Sequence, residues 1–145
     1  MATLLRNFLA VILGVVVGSM ANMALVLLGP LVVPPPAGVD MSTAEGVAAG
    51  VHLLTPAHFL FPFLAHAMGT LVGSTVAHLG AATRRPVFGY GIGVFFLTGG
   101  IAASLMIPAP AWFIALDLLG AYLPMAWLGV RLARRLRPEG AVAHA

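Results

Sequence analysis

The chain contains no cysteine and no lysine, and only four of its 145 residues are acidic. Without cysteine there are no disulfides, no thiolate metal sites and no cysteine nucleophile. Charged residues of either sign make up 8% of the chain, against about 25% in an ordinary soluble domain. So few charges cannot cover a water-facing globule, which excludes an ordinary soluble enzyme. Disorder is excluded too, because it requires low hydrophobicity. The chain is instead apolar: 61% of its residues are hydrophobic and its mean hydropathy is +1.05. A membrane-crossing helix uses about 20 apolar residues, and the apolar residues here suffice for about four. The expected fold class is all-α, a polytopic membrane protein with four transmembrane helices in a single domain.

The net charge of +3 and the pI near 10.7 would suggest nucleic acid in a soluble protein. Here the basic residues are all arginine and sit in three places: Arg6, the Arg84–Arg85 pair, and the group Arg131, Arg134, Arg135 and Arg137. Each place flanks an apolar run, the pattern of cytoplasmic loops under the positive-inside rule. The expected partner is therefore the lipid bilayer and not nucleic acid. The long stretch from Gly29 to Thr55 carries Asp40 and Glu45 and no arginine, so it is expected on the outer side with both termini inside.

The first span is expected over residues 4–28. Arg6 before an apolar stretch and Ser19-Met20-Ala21 resemble a signal peptide with its cleavage site. The apolar character continues from Met23 to Leu28, which suits a retained transmembrane helix. Gly29-Pro30 is expected to end it, and Pro34-Pro35-Pro36 then imposes extended backbone. Ser42 followed by Glu45 reads as a capping box. Behind it Ala44, Val47, Ala48, Val51 and Leu54 keep helical spacing. The connection 29–55 is thus expected to hold a short interfacial amphipathic helix between spans 1 and 2. Thr55-Pro56 opens the second span, 56–79, with a kink at Pro62. The third covers 87–107. The fourth covers 111–132 with a kink at Pro124, and a cytoplasmic tail follows over 133–145. Trp112 and Trp127 lie near opposite ends of that last span, as aromatic belt residues do.

Two of the spans echo each other. Phe8-Leu9-Ala10, Gly14, Val17, Gly18 and Ser19 recur as Phe63-Leu64-Ala65, Gly69, Val72, Gly73 and Ser74, seven matches in twelve positions. The helices run in opposite directions, so the echo fits either the trace of an inverted repeat or two helices that each need a small-residue face. The small residues recur every four positions: Ala10, Gly14 and Gly18 on the first helix, and Ala65, Gly69, Gly73 and Ala77 on the second. Such stripes let backbones approach closely in lipid, within one protomer or between protomers. Gly89 and Gly93 give the third span a shorter version.

Polar residues inside the spans are the candidates for chemistry. Asp117 lies about 9 Å below the outer interface at 1.5 Å rise per residue. An unpaired aspartate near mid-membrane costs roughly 2.5–3.5 kcal/mol, so it must face the bundle interior or a wet cavity. On the second span His58, Pro62, His66, Thr70, Ser74 and His78 follow at four-residue steps. Asn22 on the first span and Thr98 and Ser104 on the third reach a similar depth. The expected intramembrane polar cluster is Asn22, His66, Thr98, Ser104 and Asp117. Asp117 with His66 could relay protons, since histidine titrates near neutrality. His52, His58 and His66, with Glu45 or Asp117, are weak candidates for a metal, because no tight histidine spacing of a zinc motif occurs. No catalytic signature, phosphate loop or convincing Ser-His-Asp order is present. No cofactor is expected.

The strings GSMANMALVLLGPLVVPPPAGVD, PAHFLFPFLAHAMGTLVGS and PAPAWFIALDLLGAYLPMAWLG resemble those of a family of small four-helix bacterial integral membrane proteins. The resemblance runs from about Phe8 to Gly129. It implies a bacterial inner-membrane protein of four helices and carries no activity with it. Short loops and large Gly/Ala faces point to a non-enzymatic accessory or scaffold subunit, as a homo-oligomer or within a larger membrane complex. The alternative is a small proton- or cation-coupled transporter or channel that uses Asp117 and His66.

Overall fold

In the computed structural model, which describes residues 1–83 and 85–138, six α-helices follow one another with no strand among the described residues. They are α1 (Ala2–Val32), α2 (Ala44–Gly50), α3 (Leu60–Gly80), α4 (Arg85–Met106), α5 (Ala111–Gly120) and α6 (Leu123–Leu136). Four stretches are long and apolar enough to cross a membrane: Ala2–Val32, Pro56–Gly80, Arg85–Met106 and Ala111–Leu136. Arg84 and residues 139–145, which include part of the expected tail, lie outside the described residues.

The central helix is α3, which touches α1, α4 and α6. α1 packs antiparallel to it through the two small-residue stripes. A methyl group built on Gly14 would stand 2.8 Å from the Gly73 carbonyl and 2.8 Å from Cβ of Ala77; one on Gly18 would stand 2.7 Å from the Gly69 carbonyl. From the other side, a methyl on Gly73 would stand 2.7 Å from the Gly14 carbonyl and one on Gly69 would stand 2.9 Å from that of Gly18. Each glycine therefore meets the echo of the other, Gly14 against Gly73 and Gly18 against Gly69. This reciprocal pairing is what an antiparallel pair with equivalent faces produces. Ala10, Ala65 and Ala77 are buried along the same seam. On the other side of α3, Gly129 of α6 comes as close to the Leu71 carbonyl, and Gly89 and Gly93 of α4 face Val130 and Ala126. Large side chains of α1 such as Phe8, Met20 and Leu27 point outward and stay exposed.

Four local expectations are corrected. α1 does not stop at Gly29-Pro30: it continues to Val32, and the Val33 N–H closes on the Gly29 carbonyl at 2.8 Å. Proline removes one donor, and one missing bond near a C-terminus does not end a helix whose Gly29 is packed under Phe61. At 31 residues, α1 is about 46 Å long, more than the roughly 30 Å of a hydrocarbon core. The second correction is at α2, where Thr43 and not Ser42 is the N-cap, its hydroxyl accepting from Gly46 N at 3.0 Å. Ser42 is drawn away by Asp40, to which it donates from both Oγ (2.6 Å) and N (2.8 Å). Third, the last span is broken at Ala121–Tyr122, ahead of the expected kink, because Pro124 cannot donate to the Gly120 carbonyl and α5 ends there. Fourth, the helix expected to stop at 132 runs to Leu136.

Thr55 and Pro56 do open the second span. Pro56–Phe59 forms one 3-10 turn before α3, and Pro62, unable to donate to the His58 carbonyl, falls at this change of helix type. Thr55 N donates to Nδ1 of His58 at 3.0 Å, so the hydrogen of that ring is on Nε2, which reaches the Pro34 carbonyl at 3.2 Å. His58 thereby ties the polyproline stretch to the start of α3.

The arginine-bearing end is tied down as firmly. Asn7 accepts from Ala82 N at 2.7 Å and donates to Thr83 Oγ1 at 3.1 Å, which fixes the turn after α3. Arg6, Arg85 and Arg137, from α1, α4 and the end of α6, donate to the carbonyls of Gly80, Ala81 and Leu79. Cations on the last carbonyls of a helix complement its dipole.

At the opposite end, the Ser42 hydrogen bonds hold the Asp40 carboxyl below its ordinary range. A depressed carboxylate stabilises the fold fully above its unfolded value and loses that contribution as pH falls through the lower folded one. Amide protection over 40–46, relative to the unstructured rate at the same pH, should therefore be constant across neutral and mildly acidic pH and fall only on strong acidification. Asp40→Ala should show the low protection at every pH. Equal exchange in variant and wild type at pH 6 would show that Asp40 does not order this loop.

Candidate functional site

Asp117 is the most buried acidic group described, 5% exposed, and lies on the inner face of α5. Its partner comes from α3. Nδ1 of His66 stands 2.9 Å from both carboxylate oxygens. The hydroxyl of Tyr122 donates to Oδ2 at 3.1 Å, and the Tyr122 ring stacks on the imidazole with centroids 5.7 Å apart. Three side chains from α3, α5 and the break before α6 thus form one compact centre.

Tyr122 was not legible as a member. Five residues on a regular helix are about 140° apart, which would turn Tyr122 away from Asp117. The break at Ala121–Tyr122 brings it back. Room for it is made by Gly100 of α4, where any Cβ would collide with the tyrosine ring. The only sequence signal was Pro124, which marks the break without indicating where Tyr122 turns.

The hydrogen positions follow from the geometry. With Asp117 ionised, Nδ1 carries the hydrogen that the two oxygens share, and Nε2 of a neutral ring is an acceptor. On protonation Nε2 becomes a second donor, so the ring can take up or release one proton while Nδ1 stays on the carboxylate. No hydrogen bond reaches Nε2 among the described residues. The His66 side chain keeps 29% of its surface accessible, against 7% for Asp117.

Two cavities explain that accessibility. One, of about 290 Å³, touches both Asp117 and His66 and extends from them to the 33–59 connection. Met41, Val47 and Leu54 of that connection form its roof, and Phe61, Phe113 and Ile114 are among its walls. The other, of about 320 Å³, lies between α1, α3 and α4 and is lined by Asn22, Thr70, Tyr122 and again His66. His66 therefore belongs to both.

The expected polar cluster is thus only partly assembled. His66 and Asp117 are bonded to each other, Ser104 lies on the wall of the first cavity and Asn22 on that of the second. Thr98 does not join: it is exposed on the outer face of α4, its hydroxyl donating to the Val94 carbonyl at 2.9 Å. Its direction around the helix axis turns it away from the centre. The metal candidates His52, His58 and His66 are not gathered with acidic residues into a ligand set of three or more among the described residues. His52 is exposed, and His58 is engaged with Thr55 and Pro34.

Four apolar helices around a buried carboxylate–imidazole centre point to a multi-pass helical membrane protein. Compared with protein-family models, with curated proteins and with solved structures, the chain finds no match.

Proposed function

We propose that this is a multi-pass protein of a bacterial inner membrane that passes protons through the His66–Asp117–Tyr122 centre, as a small proton-conducting transporter or channel. The observation that carries this reading is the position of His66, which lines two adjoining cavities while Asp117 holds its Nδ1. A ring that borders both cavities can exchange a proton with either. Asp117 stabilises the imidazolium between those steps, and Tyr122 holds the carboxylate in place.

The second reading, a non-enzymatic accessory or scaffold subunit, draws on the short loops and the Gly/Ala faces. The α1–α3 seam takes up the stripes of α1 and α3 within the chain. That leaves this reading the short loops and the open glycines Gly91 and Gly99 of α4.

The test is flux. In proteoliposomes with an internal pH dye and an imposed gradient, wild-type protein should dissipate the gradient well above empty vesicles. Asp117→Asn should fold and fall to the vesicle background, and His66→Ala should reduce the rate. Wild-type flux equal to that of empty vesicles would overturn the reading.

The orientation proposed places both termini and the arginine-bearing end in the cytoplasm, with the 33–59 connection and α2 on the outer surface, by the positive-inside rule. Cysteines introduced at Ser42 and at Thr83 should react with an impermeant maleimide from opposite sides of the membrane. Labelling from the same side would end the four-span topology.

A further inference from the structure

We infer that the roofed cavity above Asp117 binds a lipophilic molecule with a hydroxyl head, the hydroxyl donating to Nε2 of His66 and the apolar body lying under the roof. The inference rests on reading the His66–Asp117–Tyr122 centre as the working part of the protein, and it names the class of molecule that centre receives.

Three features of the cavity select this occupant. Its lining is mostly apolar, with Val47 and Leu54 above and Phe61, Phe113 and Ile114 beside it, and apolar pockets with a few convergent polar groups are the usual form of small-molecule sites. Its floor is polar. A plain acyl chain would leave the imidazole facing hydrocarbon, and a polar group there without a partner is costly. The third feature is the donor arrangement. Both Asp117 oxygens already accept, from His66 and Tyr122, so a hydrated cation would find one committed carboxylate and little else to replace its water. The polar atom of the centre that makes no hydrogen bond among the described residues is Nε2, an acceptor in the neutral ring, and a hydroxyl is the head that satisfies it.

Size sets the scale. The cavity volume of about 290 Å³ equals about ten water molecules at liquid density and admits a molecule of roughly ten to fifteen non-hydrogen atoms. The roof is also built to stay in place: His58 fastens the polyproline stretch to α3, and Thr43 with Asp40 fastens α2.

A diazirine-bearing octanol tests this in lipid nanodiscs holding the full chain. After illumination, peptide mapping should find the label on Met41, Phe61, Phe113 or Ile114, with excess 1-decanol competing at least tenfold better than n-decane. His66→Ala should abolish the preference for the alcohol. Ile114→Trp, which fills the cavity and leaves His66 and Asp117 intact, should remove the label altogether. Label scattered over the lipid-facing side of α1, equal competition by decane, or unchanged labelling of Ile114→Trp would overturn the inference. Proton flux is read separately, so flux without site labelling sinks only the occupant, and site labelling without flux sinks only the transport reading.

Discussion

Gly14→Leu is expected to break the seam between α1 and α3, at the upper end of the roughly 1–3 kcal/mol that overpacking costs or beyond it. The obstacle is backbone. A methyl at position 14 already stands 2.8 Å from the Gly73 carbonyl, and one at position 69 stands 2.9 Å from that of Gly18. Neither carbonyl can rotate aside as a flexible side chain would, so the helices must separate. In lipid no hydrophobic gain brings them back, because van der Waals contact at short range is what holds them. Gly69→Leu should behave the same way. The matched control is Gly91→Leu, a glycine of α4 with open space around it, which should be tolerated. Val16→Leu on the exposed face of α1, and Leu71→Ala, half-buried on α3, should likewise be mild. Unfolding by graded SDS, read by protease resistance of the α1–α3 pair, separates these outcomes. Equal resistance of Gly14→Leu and Gly91→Leu would mean that the small-residue seam contributes nothing special.

Asp117→Leu should be the most damaging change at the centre, and more damaging than Asp117→Asn. Leucine strands the His66 Nδ1–H and the Tyr122 hydroxyl, both of which end on the carboxylate. Each buried donor left without an acceptor costs about 1–3 kcal/mol, so the pair together should cost several. Asparagine keeps the shape and one acceptor oxygen. It should therefore stay folded, while losing the titratable group on which the proposed flux depends. Tyr122→Phe isolates the smaller share, since it removes a donor without stranding the carboxylate, which His66 still holds. The order of SDS midpoints should be wild type, then Tyr122→Phe and Asp117→Asn close together, then Asp117→Leu well below. If Asp117→Leu is as stable as Asp117→Asn, the carboxylate is not holding the centre together.

Much of this was written along the chain, for a local reason. A run of about 20 apolar residues makes a spanning helix whatever surrounds it, and Thr55 with Pro56 opens a helix through its own hydroxyl and its fixed backbone angle. The depths of His66 and Asp117 followed from counting residues at a constant rise. Burial of Asp117 followed from the cost of a bare carboxylate in hydrocarbon. What depth does not contain is direction. Thr98 and Asp117 were expected at similar depths, yet Thr98 looks outward and Asp117 inward, because rotation about each helix axis is set by packing with neighbours. The small-residue stripes were visible, but whether they join helices within or between chains was decided by the antiparallel seam of α1 and α3. Tyr122 was hidden because helical spacing puts it on the wrong side of Asp117. The break at Ala121–Tyr122, the gap at Gly100 and the imidazole stacked on the tyrosine ring together bring it to the carboxylate. The sequence by itself determined which segments are long and apolar enough to cross a bilayer and which polar groups go with them. Only tertiary packing decided which of those groups touch, because contact depends on how each helix is turned toward the next.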